Sequence, residues 1–304
     1  MYLYHFGLKK LPFTLTPNTQ FYYQLPPHQE ALQVLHTALA AGEGFIKVTG
    51  EVGTGKTMIC RKLINELADK YQFAWLPNPY LNGDELRRAL AAELGLPVQQ
   101  DALLLTQTIG NKLMRSAMKN KPVVVVVDEA QALPNDSLEA LRLFTNLETE
   151  SFKLLQVVLL GQPELDHRLA QPELRQLRQR ITFSYRLRGL SVDECYGYLQ
   201  HRLQIAGFTQ QSLFSPALTK LLWRASGGIP RLLNVLAHKS LMLGFGSGQA
   251  NLDKSIVRKA IVDTEAAHQP QFWDNWPRST PLWLALCGLL VAGVWLRFFA
   301  ELAI

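Results

Sequence analysis

The sequence predicts an α/β protein: a doubly wound parallel sheet within residues 1–189, a smaller all-helical domain over 190–268 and one apolar C-terminal helix. Three observations carry that reading. Residues 45–49 (FIKVT) form a short β-rich run that enters a glycine loop, and from Lys56 the apolar residues Met58, Ile59, Leu63, Ile64 and Leu67 recur at helical spacing. Residues 123–127 are an unbroken valine run between Pro122 and Asp128, as a central parallel strand covered on both faces requires. After Gly189 the strand signals stop.

The alternation predicts strand, loop and helix over 45–67, a strand at 73–76, and helices within 84–94 and 103–118. The valine strand follows, then a helix at 136–148, an apolar strand at 154–160 and a last strand at 181–187. In the second part, Ser191-Val192-Asp193-Glu194 reads as a capping box, and Ser215-Pro216 as an N-cap before a proline at the first helical position. Gly227-Gly228 ends that second helix, a third starts near Pro230, and a fourth spans about 252–266.

Residues 269–280, rich in proline and polar side chains, read as a linker. Residues 281–300 carry only Arg297 as a charge, and about twenty residues give roughly the 30 Å that a helix needs to cross a bilayer. Trp273, Trp276, Trp283, Trp295, Phe298 and Phe299 cluster at both ends, as interfacial aromatics do, and Arg297 is placed to snorkel. A single-pass helix with the preceding domains in the cytoplasm is expected. The first ten residues lack the pattern of a signal peptide, which agrees with that orientation.

Composition narrows the class without choosing a function. With 304 residues and 48% hydrophobic content the chain has ample core material and is neither disordered nor fibrous. A net charge of +6 permits contact with nucleic acid or an anionic membrane without requiring either. Cys60, Cys195 and Cys287 have no metal-ligand or CxxC spacing and read as reduced thiols.

The chemistry is concentrated in Gly50-Glu51-Val52-Gly53-Thr54-Gly55-Lys56-Thr57, a complete G-x-x-x-x-G-K-[ST] loop between strand and helix. Its glycines let backbone N–H groups converge on a β-phosphate, and the helix presents its positive end to the same anion. Lys56 is expected to neutralise the β- and γ-phosphates, Thr57 to offer its hydroxyl to Mg²⁺, and Met58 to continue the ATP-binding segment. Asp128-Glu129, at the end of the valine strand, supplies a carboxylate for the Mg²⁺ shell and a second one to polarise water, so hydrolysis is expected beyond binding.

Gln162, after the apolar strand and Gly161, is the candidate for sensing the γ-phosphate, with Asn146 as second choice. Between 168 and 188 stand Arg168, Arg175, Arg178, Arg180, Arg186 and Arg188 with Glu173 as the lone acidic residue. One of them could reach a neighbouring subunit's nucleotide, while most read as a solvated basic face. Arg231 opens a helix, where a cation opposes the helix dipole unless an anion such as nucleotide lies near.

The loop, the valine strand with Asp128-Glu129, Gln162, Gln179-Arg180-Ile181 and Gly227-Gly228-Ile229-Pro230-Arg231, in this order before a helical domain, resemble an AAA+ ATPase. More narrowly, residues 1–23, His28-Gln29-Glu30-Ala31-Leu32 and the segments GEGFIKVTGEVGTGKT, DEAQAL, LRLFTNLET and GQPEL resemble the secretion-associated ExeA/GspA group. Within it they are similar to the ATPases of MSHA-type (type IV) pilus biogenesis. The likeness covers about residues 1–268.

It implies Lys56 and Thr57 as Walker A residues, Asp128 and Glu129 as the Walker B pair, Gln162 as first sensor and Arg231 as second sensor. It also implies Arg180, with Arg178 in reserve, as an arginine finger, and an adenine side lined around Pro12 and His28. The expected protein is a homo-oligomeric ATPase of the bacterial inner membrane that uses ATP and Mg²⁺ and works with pilus or secretion assembly proteins. Nucleic acid is not an expected partner, although a DNA-associated AAA+ ATPase of the transposition or origin-binding type is the rival reading. The peptidoglycan-binding domain of longer group members is not expected here, because the sequence ends at Ile304.

Overall fold

The computed structural model describes residues 2–15, 21, 23–77, 79–98, 100–148, 153–210 and 212–268. In chain order the first elements are helices α1 (Tyr2–His5) and α2 (Pro26–Ala40), strand β1 (Phe45–Gly50), α3 (Lys56–Leu67) and β2 (Gln72–Leu76). Then come α4 (Gly83–Glu93), α5 (Ala102–Met118), β3 (Val123–Val127), α6 (Asn135–Phe144), β4 (Leu155–Gly161), α7 (Glu164–Leu169), α8 (Arg175–Arg180) and β5 (Ile181–Leu187). Helices α9 (Val192–Ile205), α10 (Pro216–Ser226), α11 (Pro230–Gly246) and α12 (Lys254–Val262) follow.

The strands form one parallel sheet in the order β2-β3-β4-β1-β5. Its two faces divide the valine run: Val123, Val125 and Val127 enter a core with α4, α5 and α6, whereas Val124 and Val126 enter a core with α2 and α3. All five valines are fully buried, which explains why that strand is apolar throughout instead of alternating.

A third core joins α9 to α12 with Tyr2, Phe6, Leu8, Phe13, Phe21 and Leu25. The N-terminal segment thus packs in the helical part, although α2 and the sheet follow it in sequence. Residues 1–267 form one compact unit.

Sequence signals for helix ends are realised as side-chain caps. Asn82 with Glu85 and Ser191 with Glu194 form capping boxes, and Ser215 accepts from Leu218 N–H ahead of Pro216. The helix expected at 136–148 stops at Phe144, where Thr145 Oγ1 donates to Arg142 O (2.8 Å) and ends the turn. The helix expected at 252–266 shortens to Lys254–Val262, capped by Asp253. Helix α2 carries a clear stripe of Ala31, Leu32, Leu35, Ala38 and Leu39 after two prolines, and the sequence reading did not include it.

The linker at 269–280, the apolar segment at 281–300 and Cys287 lie outside the described residues. Among the described residues no helix is long and apolar enough to cross a membrane. Cys60 and Cys195 are buried free thiols.

The segment that leads from β5 into α9 meets the turn between α10 and α11 through glycine. Leu190 N–H donates to Gly228 O (2.9 Å), and a Cβ on Gly228, whose φ is +73°, would lie 2.2 Å from Leu190 O. Gly228→Ala should therefore cost about 1–3 kcal/mol of backbone strain. At about 2–4 °C per kcal/mol that lowers the melting temperature by several degrees in calorimetry. Gly246→Ala, with open space around its Cβ, should leave the temperature unchanged or slightly raised.

Candidate active site

Because every strand is parallel, the C-terminal ends of β1, β3 and β4 lie at one sheet edge, and the loops leaving them converge there. The loop after β1 holds Gly53 at φ +85° and Gly55 at φ +100°, conformations that side-chain-bearing residues rarely adopt. Contacts from two directions press on those glycines. A Cβ on Gly53 would lie 2.4 Å from Arg231 Cβ, and one on Gly55 would lie 2.7 Å from the His28 ring. Arg231 N–H also donates to Gly53 O (3.2 Å), so the start of α11 is bonded to the loop.

His28 Nε2 lies 2.6 Å from Thr54 O. A carbonyl only accepts, so Nε2 carries the proton. Burial pushes the His28 pKa down against the opposing effect of that bond, which keeps the ring neutral. Lys56 is buried, and its Nζ donates to Gly50 O (2.8 Å) and Glu51 O (3.2 Å). Burial lowers its pKa, while Glu129, Asp128, Glu51 and Glu164 oppose the shift.

Thr57 Oγ1 donates to Asp128 Oδ2 at 2.6 Å, and Asp128 is buried while Thr57 is exposed. A hydroxyl and a carboxylate side by side are hard oxygen donors of the kind that holds Mg²⁺. Glu129 has φ +53°, a left-handed conformation that turns the chain sharply off β3 and leaves its side chain half-buried over the loop.

The Glu129 carboxylate is held by two amides. Gln131 Nε2 (2.7 Å) and Gln162 Nε2 (2.9 Å) both donate to Oε2. Gln131 Oε1 accepts from the backbone N–H of Gln162 (2.9 Å), so the three residues form a closed set. Arg168 fastens that set from outside by donating to Gln131 O (2.5 Å) and Asn135 Oδ1 (2.7 Å). Asp166, paired with Lys47 and accepting from Thr49 Oγ1 (3.2 Å), fixes α7 onto β1.

The structure brings together Gly50, Glu51, Val52, Gly53, Thr54, Gly55, Lys56, Thr57, Met58, Asp128, Glu129, Gln162 and Arg231. A cleft of about 460 Å³ is lined by residues 52–58, Glu129 and Arg231, and on its far side by Phe21, Tyr23, Tyr198, Arg202 and Asn234. His28 lines this cleft, whereas Pro12 meets it only indirectly, through its carbonyl bonded to Arg202.

Arg180 does not join the cleft. It precedes β5, beside the N-terminal end of β1, where it donates weakly to Thr145 Oγ1 (3.4 Å) near Glu148. Asn146 lines that same hollow, so the geometry removes it as a phosphate sensor within its own chain. Of the other arginines, Arg188 pairs with Glu194 and Glu30, and Arg175, Arg178 and Arg186 are exposed. The basic stretch is therefore divided among separate tasks.

Sequence reasoning missed Gln131, which stands two residues after Glu129 in the DEAQ segment, and Tyr198 with Arg202, whose i,i+4 spacing was the available signal. Desolvation raises the Glu129 pKa, but the amide bonds from Gln162 and Gln131 and the charge of Lys56 outweigh it, so the net shift is downward. A depressed carboxyl stabilises the fold above its unfolded pKa and loses that contribution as pH falls through the folded value. Gln131→Leu removes one donor, so carboxyl NMR should show Glu129 titrating at higher pH than in the parent; an unmoved titration would count against this account of the pair.

A family model described as AAA domain matches residues 39–169. General secretion pathway protein A of Aeromonas hydrophila is 42% identical over 298 residues, which cover 97% of this chain and 53% of that protein. The chain thus spans about half the length of that relative. Among solved structures, Cdc6p from Pyrobaculum aerophilum superposes with TM-score 0.60 at 21% identity, covering 81% of this chain and 69% of that one. The ORC2 protein of Aeropyrum pernix gives 0.58 at 17%, covering 85% and 74%. Drosophila ORC bound to DNA gives 0.58 at 18%, covering 90% and 71%. At these identities the structures share the fold. Residues 39–169 thus match the AAA-domain model, in a chain similar over nearly its whole length to general secretion pathway protein A.

Proposed function

We propose that the protein is an oligomeric ATPase that uses ATP turnover to support assembly of an envelope secretion apparatus or an MSHA-type pilus, as a protein of the MshM kind. The observation that carries the enzymatic part is the convergence of Lys56, the Thr57–Asp128 pair and the Glu129–Gln162 pair at one sheet edge. The secretion setting rests on the similarity to general secretion pathway protein A.

In this reading the backbone N–H groups of the loop and Lys56 receive the β- and γ-phosphates. Thr57 and Asp128 hold Mg²⁺, which when bound neutralises developing charge on the phosphate oxygens. Glu129 accepts a proton from the attacking water, and the amides of Gln131 and Gln162 keep it ionised for that task. Gln162 bonds both Glu129 and the Gln131 amide, so a γ-phosphate that engages it changes how Glu129 is held. Arg231 reports the nucleotide to the helical part through its bond to Gly53. Arg180 serves a neighbouring copy's nucleotide, and residues 281–300 tether the assembly to the inner membrane, with the ATPase on the cytoplasmic side.

Three substitutions test the enzyme. Lys56→Ala should abolish nucleotide binding, whereas Glu129→Gln should bind ATP with turnover reduced by about 10²–10⁴-fold. Arg180→Ala should lose turnover while keeping affinity, and added Lys56→Ala protein, which still offers Arg180, should restore part of it. Mg²⁺-dependent phosphate release and nucleotide titration measure these outcomes. Turnover in Glu129→Gln equal to the parent would sink the hydrolytic role, and equal loss of affinity and turnover in Arg180→Ala would remove the finger.

A further inference from the structure

The cleft has two chemically different ends. One is the loop with Lys56, Thr57 and Glu129; the other is walled by the rings of Phe21, Tyr23 and Tyr198, with Arg202 and Asn234 among them. Flat apolar walls suit a planar base and offer nothing to a triphosphate.

Arg202, on α9, is only 7% exposed, yet among the described residues no carboxylate lies within ion-pair distance of it. Its partners are all neutral. Nε donates to Pro12 O (2.6 Å) and one terminal nitrogen donates to Tyr198 Oη (2.9 Å). The guanidinium carbon lies 5.0 Å from the Phe21 ring centroid and 5.5 Å from that of Tyr198. Tyr198 Oη–H passes the chain on to Asn234 Oδ1 (3.1 Å). Of the five N–H donors of a guanidinium, two are used by these bonds, and the remainder are held at the cleft by stacking and by the fixed Nε. Buried charges are ordinarily paired, and among the described residues this one meets no anion.

We propose that Arg202 is a nucleotide-positioning residue: oriented by Tyr198 and the Pro12 carbonyl, it donates to the acceptor atoms of the nucleoside end of the bound nucleotide, while the loop holds the phosphates. The inference rests on the nucleotide reading above and extends it to a residue outside the phosphate motifs. Occupancy also completes the coordination of a side chain that already grips the N-terminal segment through Pro12. Nucleotide binding is thereby linked to the docking of Pro12 and Phe21 on α9.

The test uses the full chain and three probes, ATP, ADP and inorganic tripolyphosphate, each with Mg²⁺, titrated calorimetrically into the parent, Arg202→Met and Tyr198→Phe. Arg202→Met should weaken ATP and ADP by about tenfold or more, as loss of a charged hydrogen bond does, and leave tripolyphosphate within about twofold of the parent. Tyr198→Phe, which keeps the ring and loses the hydroxyl, should act in the same direction to a smaller extent. Equal weakening of tripolyphosphate would mean that Arg202 acts on phosphate charge and would overturn the assignment. Unchanged ATP affinity with a lowered melting temperature would reduce Arg202 to a structural pin and overturn it as well. Should Arg202→Met not fold, Arg202→Lys and Tyr198→Phe carry the same comparison. Failure of the parent to bind ATP defeats the nucleotide reading itself, whereas ATP binding that is lost in Lys56→Ala and unaffected in Arg202→Met defeats only this inference.

Discussion

Parallel pairing of the strands is the constraint on which the rest depends. With β1 between β4 and β5, and β3 against the far side of β4, the loop after β1, Asp128-Glu129 after β3 and Gln162 after β4 must emerge at one edge. No antiparallel arrangement of the same segments would gather them. Parallel strands also require crossovers, which cover both faces with helices, and the resulting burial demands an apolar run such as Val123–Val127. The residues that build the core and those that build the site are thus selected by a single topological fact.

The loop is defined as much by what presses on it as by its own sequence. Gly53 and Gly55 leave no room for a Cβ because Arg231 and His28 already occupy that space. These contacts bring α2 and α11, from opposite sides of the chain order, against one short turn. The helical part therefore has a direct hold on the phosphate loop through Arg231. It also holds the other end of the cleft, since the N-terminal segment packs into the core of α9 to α12. A change in how the cleft is filled has an immediate path to the helical layer, through bonds that run from the loop to α11 and from Pro12 to α9.

Much of this was legible in the sequence because local signals and tertiary demands coincide. The valine strand, the capping box at Ser191 and the glycine loop each announce their structure through short-range chemistry. Lys56, Thr57, Asp128 and Glu129 were readable for the same reason: each sits at a fixed offset from a strand end. The contribution of Gln131 was not, because its amide gains meaning only when β4 brings Gln162 beside it, 31 residues away in sequence. Arg202 was hidden in the same way. Its partner Pro12 is 190 residues distant, and the i,i+4 spacing to Tyr198 within α9 says only that the two side chains can meet, not that they are buried. The cap that stops α6 at Phe144 also escaped, since the apolar pattern continues to Leu147 and only the Thr145 hydroxyl turns the chain.

The placement of Arg180 bears on how copies would associate. It precedes Ile181, which pairs with Phe45 at the start of β1, whereas the phosphate loop follows Gly50 at the other end of that strand. Six residues of strand span about 20 Å, more than an arginine and a lysine side chain can jointly close. A chain cannot therefore bring its own Arg180 to its own phosphates without dismantling β5. If Arg180 serves nucleotide, one copy must offer the N-terminal edge of its sheet to the C-terminal edge of the next. Two different surfaces then meet, and an interface of that kind is heterologous. A two-fold dimer pairs identical surfaces, so it would satisfy this contact only by using two such patches at once. Were that side chain to serve a neighbour's nucleotide, single-patch contacts would repeat head to tail, closing as a ring or continuing as a helix.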